Sequence, residues 1–466
     1  MRKKIYSILF LAALLSNTGC KKFIDVNTDP NNPTDVQEGL ILAPIELNLA
    51  SVLSAGGFAS IIVNHWMQNI ALNQPVPNQG TYLLFNQDMS DTWSNLYVTC
   101  LNNLKALNEK AEKNDNPNYA GIAKILTAYC LAITTDYWGD VPYSDALKGS
   151  GSFQPAYDKQ EDVYTAIQQL LDAAIADINK NSATTPQGDD YYYGGDMDKW
   201  KKLAYTLKAR YYMHLVKAPG HTAAGQADLA LTALTNAMAD NDDDLVFTYP
   251  GSAGQENPTY VAMLPVSTLI MSSAAVDTLV TRNDPRLPQL IAKAKSTGLY
   301  KGRSIGSVNI SGDLDEYSLP GSAYGFANSP VYVLTYAEAL FLKAEATLIK
   351  SGFAAAQPIY RDAITAHMTK LGISTADINT YLGSRGTLTA GNALQRIMEE
   401  KKIANFMSIE NFNDWRRTGF PVLTKVPNAV TTTIPRRMLY PQSEILSNPQ
   451  AVHTATLTDR VWWDAP

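Results

Sequence analysis

Residues 92–138 read TWSNLYVTCLNNLKALNEKAEKNDNPNYAGIAKILTAYCLAITTDYW, and their pattern decides the fold. Trp93, Leu96, Tyr97, Cys100, Leu101, Leu104 and Leu107 recur at the three-and-four spacing that places side chains on one helical face. Ile122, Ile125, Leu126, Tyr129, Cys130 and Ile133 repeat the pattern in a second run. Between the runs, NDNPN at 114–118 supplies the residues that end helices and turn chains. Two amphipathic runs joined so tightly predict an antiparallel helix pair. Cys100 and Cys130 stand about equally far from the turn, so the pair brings them to the same height. Buried free thiols are expected there, since cysteine is among the most buried residue types.

Helical patterns continue on both sides. Upstream, Pro44 to Ala71 reads as largely helical and apolar, and LNQPVPNQGTYLLFNQ then breaks into a loop carrying Tyr82 and Phe85. Downstream, Gly139 and Pro142 interrupt an aromatic loop, Thr135 to Leu147. A third helix is predicted from Asp158, with Glu161 three residues on as in a capping box. Its inner face is Val163, Ile167, Leu170, Leu171, Ala174 and Ile178. A fourth runs from about Asp198 through Trp200, Leu203, Leu207, Tyr211 and Leu215 to Pro219-Gly220, and an alanine-rich fifth covers 225–239. From 241 to 330 Gly, Ser, Pro and Asn dominate, and so long an irregular stretch between helical blocks points to function. Helices resume at Thr335, which forms a second capping-box pattern with Glu338, then at Pro358 and after Asn392. The expected fold is mainly all-α: paired helices, without a fixed repeat period, carrying a loop-rich insertion at about 241–330 in a single domain, 37–466.

The first residues, MRKKIYSILFLAALLSNTGC, have the layout of a bacterial lipoprotein signal. Arg2, Lys3 and Lys4 precede an apolar run, Ile5 to Leu15, and small residues lead into Cys20. The run is about half the ~20 residues a membrane-spanning helix needs. Cleavage of 1–19 and lipidation of Cys20 are expected, with 20–36 as an extended spacer rich in Asn, Asp and Pro, and no later segment spans a membrane. The 466 residues carry 38 basic against 44 acidic side chains, and removing the signal makes the body more acidic. That balance argues against nucleic acid, which requires clustered Lys and Arg. Tyrosine outnumbers phenylalanine, 25 to 12, and its apolar face and hydroxyl suit both wet recognition surfaces and large helical cores.

Motifs for catalysis and metal binding fail on context. Gly302-Arg303-Ser304-Ile305-Gly306 matches G-x-S-x-G, but SVNISGDLDEYSLPGS follows it where a helix is required. His65, His214, His221, His367 and His453 show no metal-binding spacing. Asp242, Asp243 and Asp244 lack the spacing of a calcium loop and read as a solvated turn. No cofactor and no metal site are expected.

Six segments in series carry a resemblance: FIDVNTDPNNPTDV after Cys20, DYWGDVPYSDAL, DKWKKLAYTLKARYYMHL, LTYAEALFLKAEA, ENFNDWRRTGFPVL and IPRRMLYPQSEILSN. Together they span nearly the whole body, and the chain resembles the SusD/RagB family of outer-membrane nutrient-binding lipoproteins typical of Bacteroidetes, in the branch with the NTDPN spacer and the WRRTG segment. The resemblance implies a tetratricopeptide-like helix-pair scaffold under an irregular region. It also implies glycan capture, or in some members peptide capture, for a SusC-like TonB-dependent transporter at the cell surface, without catalysis. A secreted helical carbohydrate-active enzyme is the rival reading. Trp138, Gly139, Trp200, Trp415, Arg416, Arg417, Arg436, Arg437 and Tyr440 fall in the matching segments, and architecture is the expectation for all of them. Ligand contacts are expected from the loops 81–86 and 300–328. Tyr82, Phe85, Tyr300, Tyr317 and Tyr324 offer stacking faces there, and Arg303, Asn309 and Asp315 offer partners for hydroxyls.

Overall fold

The computed structural model describes residues 36–451 and 454–466. The signal at 1–19, Cys20, nearly all of the spacer and His453 lie outside them.

Helices α1 (Glu38–Asn48) and α2 (Phe58–Trp66) are joined by a π-helical stretch, Leu49–Ser54. Helix α1 begins well before Pro44, which lies inside it. This run is, contrary to the sequence reading, long and apolar enough to cross a bilayer. Its apolar side chains, among them Leu42, Ile45, Leu49, Leu53, Val63 and Trp66, are instead packed in the main core. Strand β1 (Ile70–Leu72) follows.

Helices α3 (Asn102–Lys113) and α4 (Pro117–Trp138) are the predicted hairpin, the first arm reaching back to Ser90 through π-helical turns at Asn95–Leu101. Both predicted faces are buried except at Tyr97, which is half-buried and donates its hydroxyl to the Pro142 carbonyl oxygen (2.8 Å). Cys100 and Cys130 are buried and free. Cys100 Sγ donates to Asn48 Oδ1 (3.3 Å), and burial, with Cys100 beside it, pushes the Cys130 thiol up.

Helices α5 (Gln160–Ile178), α6 (Met197–His214) and α7 (Ala223–Ala233) then stack in succession. Asp158 does not cap α5. Its carboxylate accepts from the Tyr143 and Ser144 backbone N–H groups (2.8 Å each), fastening the aromatic loop, while Asp140 Oδ1 accepts from Gln160 N (2.9 Å). Helix α7 stops six residues short of the predicted 239: Thr235 N and Asn236 N bond to Thr232 O and Ala233 O in turns, and side chains then take the N–H groups of Met238 and Ala239. Thr206 Oγ1 holds Met238 N (3.2 Å) and Asp243 Oδ2 holds Ala239 N (2.7 Å).

The chain then leaves the array and returns to it. Strand β2 (Leu245–Phe247) pairs antiparallel with the later β4 (Val331–Leu334), closing the neck of the insertion. Inside the insertion, β3 (Leu269–Met271) pairs antiparallel with β1 and leads into α8 (Ser273–Thr281). Past the neck, α9 (Tyr336–Ser351) packs on α6 and α7, so the array continues as though uninterrupted. Thr335 Oγ1 caps α9 by accepting Glu338 N (3.2 Å), but the capping box is half made, because the Glu338 carboxylate is taken by Arg210 and Asn405. Helix α10 (Phe353–Lys370) contains Pro358 rather than starting at it. Helix α11 (Thr375–Arg385) was not anticipated, α12 (Ala393–Ala404) follows Asn392 as expected, and α13 (Glu410–Thr418) carries the WRRT segment.

Buried charge ties the late helices to the early ones. Arg210 on α6 donates Nε and Nη2 to the Glu338 carboxylate (2.8 Å each), completely out of water. Arg417 is held by Glu345 and Asp414, and Lys401 reaches Asp414 (2.9 Å). His214 sits between Glu410 (2.7 Å) and Tyr164 (2.8 Å). Burying a charge is costly unless it is paired or hydrogen-bonded, which explains the crowding of these residue types in the segments that carry the resemblance. The aspartates at 243 and 244 belong to this scheme and not to a solvated turn. Asp243 accepts from Lys202 (2.8 Å) and Asp244 from Lys370 (2.9 Å), because each must neutralise a cation on a packed helix. Among the described residues no cluster of His, Cys, Asp and Glu could hold a metal ion.

Candidate ligand surface

Three loops meet beside the β1–β3 ladder. Residues 73–86 supply the first, 303–311 the second and 424–430 the third. Asn73 fastens the first to the second, its amide donating to the Ser311 carbonyl (2.8 Å) and its Oδ1 accepting Ser311 N (3.0 Å). Val430 N donates to Thr81 O (3.0 Å), and Asn428 Nδ2 to Gly306 O (2.9 Å), so the third closes on both. Gly306 is required there. Its φ is +74° and a Cβ would lie 2.1 Å from the Pro427 carbonyl oxygen. The sequence reading had the first two loops and missed the third, which has no apolar period and is joined by contacts more than 100 residues apart.

The eight predicted ligand residues divide by exposure. Tyr82, Arg303 and Tyr324 are buried and hold the loops, so in this conformation they present no face to a ligand. The Tyr82 hydroxyl accepts Val426 N (3.4 Å). Arg303 donates Nε to Leu72 O (2.9 Å) and Nη2 to Ser307 O (3.1 Å), pinning the second loop to β1. Tyr324 packs against Tyr332 and Phe406, ring centroids 5.5 and 5.2 Å apart. Loops this long must still bury something, and their largest side chains turn inward.

Phe85 and Asn309 are exposed, and Tyr300, Asp315 and Tyr317 are partly so. Lys301 Nζ lies 5.0 Å from the Tyr317 ring centre, and Lys293 Nζ 5.6 Å from that of Tyr300. Asp315 accepts from Lys295 (2.9 Å). The two tyrosines do not form one platform. Tyr317 leans on the main core and Tyr300 on the separate cluster around Ile70, Met271 and Leu290. The insertion also exposes large apolar side chains, Val266 at 92% with Leu299, Val308, Ile310 and Phe326, the kind of surface that marks an interaction site.

Ser304 is no nucleophile elbow. It lies in an irregular segment, and its hydroxyl meets Ser273 Oγ at 3.4 Å. The arginine pairs are architecture, as expected. Arg416 donates to Asp136 O (2.7 Å) and stacks over Trp463 and Phe412. Arg436 binds the Asp464 carboxylate (2.5 Å) and covers Trp415. Arg437 and Tyr440 both donate to the Trp138 carbonyl oxygen, which the +81° φ of Gly139 turns toward them.

Comparison with known proteins bears on the family and the fold. Residues 30–441 match the SusD-like family described as starch-binding and associating with the outer membrane. Among solved structures, a chitin-binding protein is 25% identical with a TM-score of 0.81, over 92% of this chain and 100% of its own. A chitin-binding SusD homologue from Flavobacterium johnsoniae is also 25% identical, with a TM-score of 0.80 over 92% of this chain and 98% of its own. A SusD/RagB family protein from Bacteroides thetaiotaomicron, 23% identical, has a TM-score of 0.78 over 92% of this chain and 99% of its own. No curated protein matches the chain. A match across nearly the whole body, on a helical array whose buried ion pairs fall in the matching segments, places the chain in the SusD-like family of outer-membrane-associated, carbohydrate-binding proteins.

Proposed function

We propose that the chain captures oligosaccharides at the cell surface and delivers them to a SusC-like TonB-dependent transporter, tethered to the outer membrane by lipid on Cys20. The observation that carries this reading is the likeness to two chitin-binding structures over 92% of the chain. The exposed residues of the loops 81–86 and 300–328 supply the chemistry. Phe85, Tyr300 and Tyr317 offer aromatic faces for the apolar side of sugar rings, and Asn309 and Asp315 offer partners for ring hydroxyls, a small number of polar groups beside apolar surface as recognition sites require. The exposed apolar residues of the insertion suit the transporter contact. Binding without bond cleavage is sufficient.

The test is a panel of chitin- and starch-derived oligosaccharides, with peptides as the contrast, against the purified protein. Saturable glycan binding without release of new reducing ends supports the proposal. Tight peptide binding without glycan binding, or turnover of any glycan, contradicts it. Cys20→Ala is expected to leave ligand binding intact and abolish membrane retention.

A further inference from the structure

Lys402, on α12, is a part-buried cation without an ion pair among the described residues. Its Nζ donates to the Met67 carbonyl oxygen (2.7 Å). The neighbouring charges are already matched. Arg282 and Arg385 share Glu399 and Glu400, and Arg286 takes Asp284 together with Glu400. Three guanidiniums thus face three carboxylates, and one ammonium is left over.

That ammonium lines a cleft of about 170 Å3 between α8, α12 and the segment 421–423. The apolar walls are Leu279, Ile403, Phe406, Pro421 and Leu423, and Arg282 and Glu399 stand at the polar edge. The volume is below that of a drug-sized pocket and excludes an oligosaccharide. A part-buried charge without a counter-ion is held at some cost, and an entering anion would offset it. A second negative charge on the ligand would meet the Glu399 carboxylate, so a single one fits best.

We propose that this cleft is a site for a small monocarboxylate with an apolar body, its carboxylate accepting from Lys402 Nζ and its body lying against Ile403, Phe406 and Leu423. The cleft adjoins the third converging loop through Leu423 but is lined by none of the residues offered to glycans, and the inference does not depend on the glycan reading. Burial, aided by the Arg282 charge, pushes the Lys402 amine down to about 8, consistent with a cation lacking its counter-ion. Of the other titratable groups facing it, Glu399 is destabilised by burial but held below the ordinary carboxylate range by Gln395, Arg385 and Arg282, and so stays ionised at neutral pH.

Calorimetric titration of the purified full chain with benzoate and with uncharged benzamide tests the proposal. At about pH 6, where Lys402 is charged, benzoate is expected to bind at least about tenfold tighter than benzamide, the gain of a charge-assisted hydrogen bond. At about pH 9.5 the carboxylate is still ionised but the amine is neutral, and the preference is expected to vanish. Lys402→Met removes the preference at both values, whereas Lys402→Arg keeps it at both, because guanidinium does not titrate there. Thr278→Trp, on the exposed rim, blocks both ligands with the lysine intact. Equal affinities at pH 6, a preference that survives Lys402→Met, or no saturable benzoate binding would overturn it.

Discussion

The helical array and the outer loops of the insertion use the same residue types in opposite ways. In the array, charge is buried and paired: Arg210 with Glu338, Arg417 with Glu345 and Asp414. In those outer loops Lys295 and Asp315 pair in solvent, and leucine, valine and phenylalanine face outward, whereas the inner part of the insertion joins the array through the buried Asp284, Arg286 and Glu400. A buried pair fixes which helices meet, since removing either member strands the other. An exposed pair fixes little. The array therefore acts as a rigid frame, and the outer loops as a surface open to change.

The largest expected effect comes from breaking the frame. Glu338→Ala strands Arg210 and removes a partner of Asn405. A loss of about 3–5 kcal/mol in unfolding free energy is expected by denaturant titration, the range for an uncompensated buried charge.

Acid should act next. His65 is buried against Ile70, donates Nδ1–H to its carbonyl oxygen (3.2 Å), and is pushed down to about 4 by burial. His367 is pushed down likewise by burial and then by Arg286 and Lys370. A histidine lowered on folding stays neutral while its unfolded counterpart takes up a proton. Its contribution is complete above the unfolded value of about 6.5 and is lost as pH falls toward the folded one. Stability is expected to fall between about pH 6.5 and 4, by up to ~3 kcal/mol for His65 alone, and a His65→Leu variant to show a shallower decline.

Arg303 joins the two regions. Arg303→Ala frees the second loop from Leu72 O and Ser307 O and should cost about 1.5–3 kcal/mol, with earlier proteolysis of residues 300–311 than of any array helix. The smallest effects belong to the outward side chains. Lys295→Ala should leave the unfolding midpoint unchanged within error, as loss of an exposed pair does. Phe85→Ala should change it by less than about 0.5 kcal/mol while weakening glycan binding.

The frame was legible in the sequence because its signals are local and repeated. The spacing of Trp93 to Leu107 and of Ile122 to Ile133 named both faces of the hairpin, and Thr335 announced its helix. Asp158 misled because cap and turn chemistry use the same carboxylate, and Asp140, nearer the helix start in space, does the capping. The ligand surface was half legible. Composition placed 81–86 and 300–328 in loops, but which side chains of a loop turn inward depends on what it folds against. Tyr82, Arg303 and Tyr324 are buried by partners at 426, 72 and 406, and no local pattern encodes those meetings. The loop at 424–430 and the Lys402 cleft arise the same way, from residues distant in sequence.

The division of labour is tested most directly by glycan affinity measured beside stability in one variant, Phe85→Ala with Tyr317→Ala. The account predicts that calorimetric affinity for the tightest-binding chitin or starch oligosaccharide falls about tenfold or more, as loss of aromatic stacking implies, while the unfolding midpoint stays within error. Unchanged affinity in that variant, with loss of binding when an exposed array residue such as Lys105 is replaced by alanine, would contradict it.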